Sequence, residues 1–313
     1  MSASVRTAPA PASRAARRIP SAPLTIGVVG AGRVGAVLAA ALGAEGHRVV
    51  AASGRSDAAR ARIRTLLPGA TRRAAVDVVR AATDLVIISV PDDRLGPLVA
   101  HLAEERAFAP GQVVLHTSGA HGAGILHPAT AAGARAVALH PAMTFTGQPD
   151  DLARLAGISY GATADPELHA FVQRLVGDLG GTVEWIDEAD RALYHTALAH
   201  GANHLVTLVN EALDLLRGAG VLHPERVLGP LLNAALDNAL RLGDAALTGP
   251  VSRGDAGTVA RHLDTLAGTA PDSAPAYLAL ARRTADRAIA AGRLRPTDAE
   301  PLLDVLAHSP GSS

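Results

Sequence analysis

The chain has 313 residues, 48% of them apolar, and its 29 basic side chains balance 29 acidic ones to a formal net charge of zero. That composition suits a globular protein with one large or two medium cores. It offers no clustered basic excess for nucleic acid or an anionic membrane, and no apolar run long enough to span a bilayer. Cysteine is absent, so disulfides, thiolate metal ligands and cysteine nucleophiles are excluded, and a reducing compartment such as the cytoplasm is compatible. Lysine is absent too. No side-chain amine is available as proton donor or Schiff base, so any chemistry that needs such a group must use another acid.

Residues 1–22 are rich in Ala, Ser, Pro and Arg, contain no acid and lack the apolar core of a secretory signal. They read as a disordered tail, with a transit peptide as the other reading. A short apolar strand then runs into Gly30-Ala31-Gly32-Arg33-Val34-Gly35, an alanine-rich helix over residues 36–45 follows, and a second strand is expected at residues 48–52. Strand, G-x-G-x-x-G and helix in that order mark a dinucleotide site. Gly30 serves the tight turn, Gly32 admits a pyrophosphate to the backbone, and Gly35 lets helix and strand pack closely.

At the end of the second strand, NAD-binding chains usually carry an acid for the ribose 2′-hydroxyl. Here the residues are Ser53-Gly54-Arg55-Ser56. Two hydroxyls and a guanidinium suit a 2′-phosphate, and hence NADP, whereas the alternative for Arg55 is a solvated loop arginine.

A helix over residues 56–67, a weak strand and helix to residue 82, and a buried strand over residues 84–90 ending at Val90-Pro91 come next. A helix over residues 94–106 leads to strands at 112–117 and 135–140. Later strands at 158–162 and 182–186 flank a helix at 166–179. This alternation predicts an α/β fold with a parallel, doubly wound sheet over residues 23–187. From residue 188 to 308 the apolar spacing is helical throughout, at 190–217, 224–242, 256–266 and 274–291, with a short last helix after Pro296. An all-α second domain follows from that.

Together these segments resemble the β-hydroxyacid dehydrogenase-like group, which includes 6-phosphogluconate dehydrogenases and ketopantoate reductases. A narrower set, Ile88-Ser89-Val90-Pro91-Asp92, His116-Thr117-Ser118-Gly119, Leu139-His140-Pro141-Ala142-Met143, Tyr194-His195 with Asn203, and residues 248–255, is similar to Rossmann-like proteins carrying the domain of unknown function numbered 2520. The resemblance implies an NADP-dependent oxidoreductase without a settled substrate, and a helical domain that completes the site and often a homodimer. Ketopantoate reductases rely on a helical lysine that this chain lacks, so their chemistry does not transfer whole.

His195 stands where the related group places that lysine, and an imidazole can act as general acid in reduction and base in oxidation. Packing or helix capping is the bland alternative. Asn203, eight residues on, falls about 80° around an α-helix and can orient a substrate oxygen or simply make a helix-packing hydrogen bond. His140, Thr117, Ser118 and Gly119 follow strand ends, the edge where such sheets bind ligands. Val90, Pro91, Thr117 and Ser118 are candidates for the cofactor, Ser118, Gly119 and His140 for the substrate, with His140 also a catalytic candidate that orients the carbonyl, and each of the polar ones is equally suited to bracing a loop. Arg253, in a turn that Asp255 is placed to cap, can grip a carboxylate or pair with that aspartate.

His200 and His204 share one helical face, but no glutamate or third ligand accompanies them, and no metal is expected. The expected activity is hydride transfer between NADP(H) and a small, carboxylate-bearing carbonyl or imine compound, with ketopantoate-type reduction the specific case. A non-catalytic NADP-binding sensor is the alternative.

Overall fold

In the computed structural model, which describes residues 23–307, the strands of the first half send alternate residues to opposite faces. Ile26, Val28, Leu85, Ile87, Val113 and Leu115 enter one buried cluster, while Val29, Val86, Ile88 and Val114 enter another. A strand buried on both sides needs helices on both sides, and the sequence supplies them between strands. The tail at residues 1–22 lies outside the described residues.

The order is β1 (Thr25–Val29), α1 (Arg33–Ala44), β2 (Arg48–Ser53), α2 (Asp57–Leu66), β3 (Thr71–Arg72), α3 (Ala75–Ala81), β4 (Leu85–Ile88), α4 (Asp92–Glu104) and β5 (Val113–His116). A 3₁₀ turn (Ala123–Leu126) and α5 (His127–Ala131) lead to β6 (Arg135–Pro141), followed by α6 (Asp151–Arg154), β7 (Ser159–Ala164), α7 (His169–Asp178), β8 (Thr182–Trp185) and α8 (Arg191–Leu198). All eight strands form one sheet in the order β3-β2-β1-β4-β5-β6-β7-β8. Helices α1, α2 and α7 cover one face, and α3, α4 and α5 the other.

One pairing departs from the expected parallel sheet. β7 runs antiparallel to β6, with Ala138 opposite Thr163 and His140 opposite Gly161. The connection between them contains only the four-residue α6, too short a helix to carry the chain back along the sheet, so the strand returns in the opposite sense. Helix α7 then provides a full crossover, and β8 is parallel to β7.

The β6–α6 connection is fastened by Asp151, which is fully buried. Its carboxylate accepts from the Thr146 N–H at 2.8 Å, the Thr146 hydroxyl at 3.0 Å and the Gly147 N–H at 2.7 Å. The loop so closed packs on α1: a Cβ placed on Gly147 would lie 3.1 Å from the Arg33 Cα.

Contacts divide the chain after His200, so the helix bearing His195 belongs to the first unit. The second unit contains α9 (His204–Gly218), α10 (Pro224–Leu242), α11 (Gly249–Ser252), α12 (Ala256–Thr269), α13 (Ala274–Ala290) and α14 (Pro296–Ala307). Its core joins α12, α13 and α14 through Val259, Leu263, Leu278, Ala285 and Leu302. Asp255 caps α12, accepting from the Thr258 N–H at 3.0 Å, as its place before the helix predicted. Helix α9 contributes no buried residue and α10 only Pro224.

Burial alone would raise the Asp151 pKa, but the donors from Gly147 and Thr146 outweigh it and hold the carboxyl below its usual value. The stabilisation is therefore complete above the unfolded carboxylate range and is lost as pH falls through the folded value. Asp151→Asn should cost about 1–3 kcal/mol at pH 7. Urea unfolding should show this cost shrinking steadily as the pH is taken below 4.

Candidate functional site

The glycine turn shows which of its glycines the protein itself requires. Gly30 has φ +87° and a Cβ there would strike the Ser89 carbonyl, while a Cβ on Gly35 would come within 2.7 Å of the Ser89 Cβ. Gly32 is different. A Cβ there would meet nothing nearer than 3.9 Å, so no protein group requires that position to be bare. The space it leaves lies at the N-cap of α1, where no side chain caps the helix and free amides face outward, the arrangement that receives a pyrophosphate. Ala31, Arg33 and Val34 complete this turn, and Val90, after β4, packs against Gly30.

Ser53 braces the turn from β2. Its hydroxyl accepts from the Gly30 N–H at 3.1 Å and its carbonyl from the Ala31 N–H at 2.7 Å. Ser56 caps α2 by accepting from the Ala59 N–H at 3.1 Å. Arg55 is exposed between them. Its carbonyl is held by Arg60 at 2.9 Å, which fixes the backbone, and the Ser53 and Ser56 hydroxyls, used here only as acceptors, retain protons to donate. Pro91 is exposed at the N-cap of α4.

The polar residues after β5 hold one another. His116 is fully buried, its Nδ1 accepting from the Ser118 N–H at 3.2 Å and its Nε2 meeting the Gly122 carbonyl at 2.9 Å. Those partners require the neutral Nε2–H tautomer. The Ser118 hydroxyl accepts from the N–H groups of Ala120 and His121 at 3.2 and 3.3 Å, and the Thr117 hydroxyl donates to Ser89 at 3.0 Å. Glu188, before α8, takes the Gly124 N–H at 3.1 Å.

This rigid loop places Gly119 against two imidazoles. A Cβ on Gly119 would lie 2.7 Å from the His195 Cδ2 and 3.1 Å from the His140 Cδ2. His140, near the end of β6, meets the Tyr194 hydroxyl through Nδ1 at 3.0 Å. Its ring stands edge-on to Tyr194 and to His195, with centroids 5.7 and 6.1 Å apart. Gly161 lets Tyr194 reach that position, since a Cβ on it would come within 2.5 Å of the phenolic oxygen. Thus Gly119, His140 and His195, singled out separately in the sequence, form one cluster. Tyr194 belongs to it as well, although the sequence marks it only as the neighbour of His195.

Behind the cluster is Arg191, which no local pattern in the sequence singles out. It is 1% exposed. Nε donates to the Thr163 hydroxyl at 2.7 Å, and Nη2 donates to the carbonyls of Ala138 and Gly161 at 3.0 and 3.1 Å. Nη1 is buried with no partner, and the guanidinium carbon stands 5.8 Å from the Tyr194 ring centroid. Burial lowers the Arg191 pKa, opposed by Tyr194 and Glu188. Tyr194 is raised by burial, against the pull of Arg191 and the Gly161 N–H.

His116 and His140 are each lowered to about 4, mainly by burial. For His140 the neighbouring His195 and then Arg191 add to the effect, and Asp92 opposes it. Both rings are neutral near pH 7.

Asn203 and Arg253 belong to the second unit. Asn203 is exposed and ends a π-turn, Ala199–Asn203, which interrupts the regular α-helical count from His195. Arg253 is exposed just after α11. Among the described residues, no three His, Asp or Glu side chains gather as a metal would need, and no helix is long and apolar enough to cross a membrane.

Residues 8–141 match a Rossmann-like domain and residues 158–284 match DUF2520, a domain of unknown function. No curated protein is matched. Among solved structures, the chain is similar to a Bacteroides fragilis protein provisionally named an NADP oxidoreductase (24% identity, 84% of this chain and 98% of that one, TM-score 0.69). It is also similar to a reductive aminase from Aspergillus terreus, solved with NADPH and ethyl-5-oxohexanoate (21%, 87% and 95%, TM-score 0.62). A third is an imine reductase from a Pseudomonas species (22%, 87% and 99%, TM-score 0.61). At these identities the likeness is one of fold.

The two lowered imidazoles make a direct test. Between pH 6.5 and about 4 the unfolded chain takes up protons that His116 and His140 refuse in the fold, so their share of stability is full above 6.5 and is lost across that window. In an NMR titration of the histidine ring protons, these two resonances should have midpoints near 4.

Proposed function

We propose that the protein is a cytoplasmic NADP-dependent oxidoreductase acting on a small, carboxylate-bearing carbonyl or imine compound. The observation that carries this reading is the gathering of His140, Tyr194 and His195 over Gly119, at the carboxyl ends of β5 and β6. That edge of an α/β sheet is where ligands bind, and it is the edge the glycine turn shares. The space left at Gly32 fits a pyrophosphate, and Arg55 with Ser53 and Ser56 fits a 2′-phosphate. The folds of the NADPH-bound reductive aminase and of the imine reductase support the same reading.

A bound nicotinamide would supply or accept the hydride. The chain's own part is to orient the acceptor and manage the proton. His140, kept neutral and fixed by Tyr194, is suited to orient a substrate oxygen or nitrogen. His195 is the general acid in reduction and the base in oxidation. Asn203 and Arg253 take no part in this reading. Ketopantoate is the first compound to offer, as the specific case implied by the family resemblance.

A second proposal concerns assembly. Leu231, Leu236 and Leu240 of α10 are 64%, 52% and 80% exposed, and Val206 of α9 is 61% exposed. Apolar side chains left exposed around α10 and on α9 suit burial against a second copy, so we propose a homodimer.

His195→Ala should lower turnover by about 10²–10⁴-fold while NADPH still binds by fluorescence titration. A binding-only sensor would show no turnover to lose. Arg55→Ala should weaken NADPH by about 1.5–3 kcal/mol, the size of a hydrogen bond to a charged group, and leave NADH nearly unchanged. Sedimentation velocity should give a dimer that Leu240→Glu with Leu231→Glu converts to monomer.

A further inference from the structure

Arg191 is a cation buried with no carboxylate paired to it among the described residues. Its hydrogen bonds go to two main-chain carbonyls and a threonine hydroxyl, and Nη1 has none. Dipolar partners of this kind satisfy donors but leave the formal charge in place. The guanidinium lies behind Tyr194, whose hydroxyl meets His140. The charged and titratable groups around this point are unequal in kind. Arg191, His195 and His121 are basic, whereas the acids felt there are Asp92 and Glu188, both exposed. Asp92 is screened by water at the start of α4, and the Glu188 carboxylate accepts from the Gly124 N–H.

We infer that this site takes a neutral or anionic carbonyl compound, such as a ketone or 2-keto acid, and disfavours a cationic iminium. The inference rests on the oxidoreductase reading and narrows it. The acceptor's charge decides between the two classes. A carbonyl gains negative charge on oxygen as hydride arrives at carbon, and a fixed positive charge with hydrogen-bond donors stabilises that change. An iminium must first bring its own positive charge toward Arg191, and then loses it.

In the favoured reaction a hydride pair from the reduced nicotinamide forms the new C–H bond and the C=O π pair moves onto oxygen. Oxygen then takes a proton from His195, whose ring is reprotonated from solvent. Arg191 touches no reacting atom in this account. It is a positioning residue that sets the field at His140 and holds β6 and β7 to α8.

The test uses the whole protein and begins with NADPH binding, because absence of binding would overturn the oxidoreductase reading before any substrate is added. Ketopantoate, a simple ketone and an N-methyl iminium salt of similar size are then offered with NADPH. A kcat/KM at least about tenfold higher for the carbonyl compounds is expected, and preference for the iminium overturns the inference while leaving the reading intact.

A readout independent of turnover is the His140 ring. Arg191→Met should raise its NMR titration midpoint only by the part Arg191 adds to burial and His195, and Arg191→Lys should keep it low. An unmoved midpoint in a folded Arg191→Met protein also overturns the inference, and so decides the matter if no compound in the panel is reduced. Should Arg191→Met not fold, the wild-type panel decides; with nothing reduced there, an Arg191→Lys midpoint equal to that of wild type supports the field, and one risen above it overturns it.

Discussion

A single guanidinium ties the strand ends to the helix that presents His195. Arg191 begins α8, yet its donors end on Ala138 in β6 and on Gly161 and Thr163 in β7. An arginine has a rigid fork of donors that can engage several acceptors at once, which a lysine's point charge cannot do with fixed geometry. Since Ala138 and Thr163 are paired across the two strands, the fork reads their antiparallel register directly. A shift of one residue would turn these strands' side chains to opposite faces, and Tyr194 would no longer meet His140.

The cost of that arrangement is a charge in a place of low polarity. Three hydrogen bonds offset part of it, and the burial that imposes that cost also acts on the neighbours. His116 and His140 remain neutral, Tyr194 keeps its proton, and the cluster presents hydrogen-bonding groups without adding further formal charge. The close approaches follow from the same economy of space. Gly119 and Gly161 bring backbone to within contact of the rings, so the cluster is defined by where side chains are missing as much as by where they are present.

What could be read from the sequence separates by distance along the chain. The glycine turn, the alternation of strand and helix, α10 at residues 224–242 and the Asp255 cap are each written within a few consecutive residues, and the structure contains all of them. The sense of β7 was hidden, because apolar strand residues look alike in either direction. Only the brevity of α6 in the connection carries that information. His140 and Tyr194 are 54 residues apart, and Arg191 reaches 53 residues back to Ala138. No local pattern encodes such meetings. Arg191 in particular looks like any helix-start arginine among many, and its meaning comes wholly from burial.

The two ends of the proposed site are joined mechanically as well as by sequence. From His140 the chain runs through Pro141 and Met143 to Thr146 and Gly147, where Asp151 closes the loop and Gly147 rests against the first turn of α1. That first turn is the one left uncapped beside Gly32. The same short segment therefore joins the glycine turn to the strand end that positions His140. Because the loop is fixed by a buried carboxylate and not by solvent-exposed contacts, the segment from His140 to the first turn of α1 is held in one arrangement.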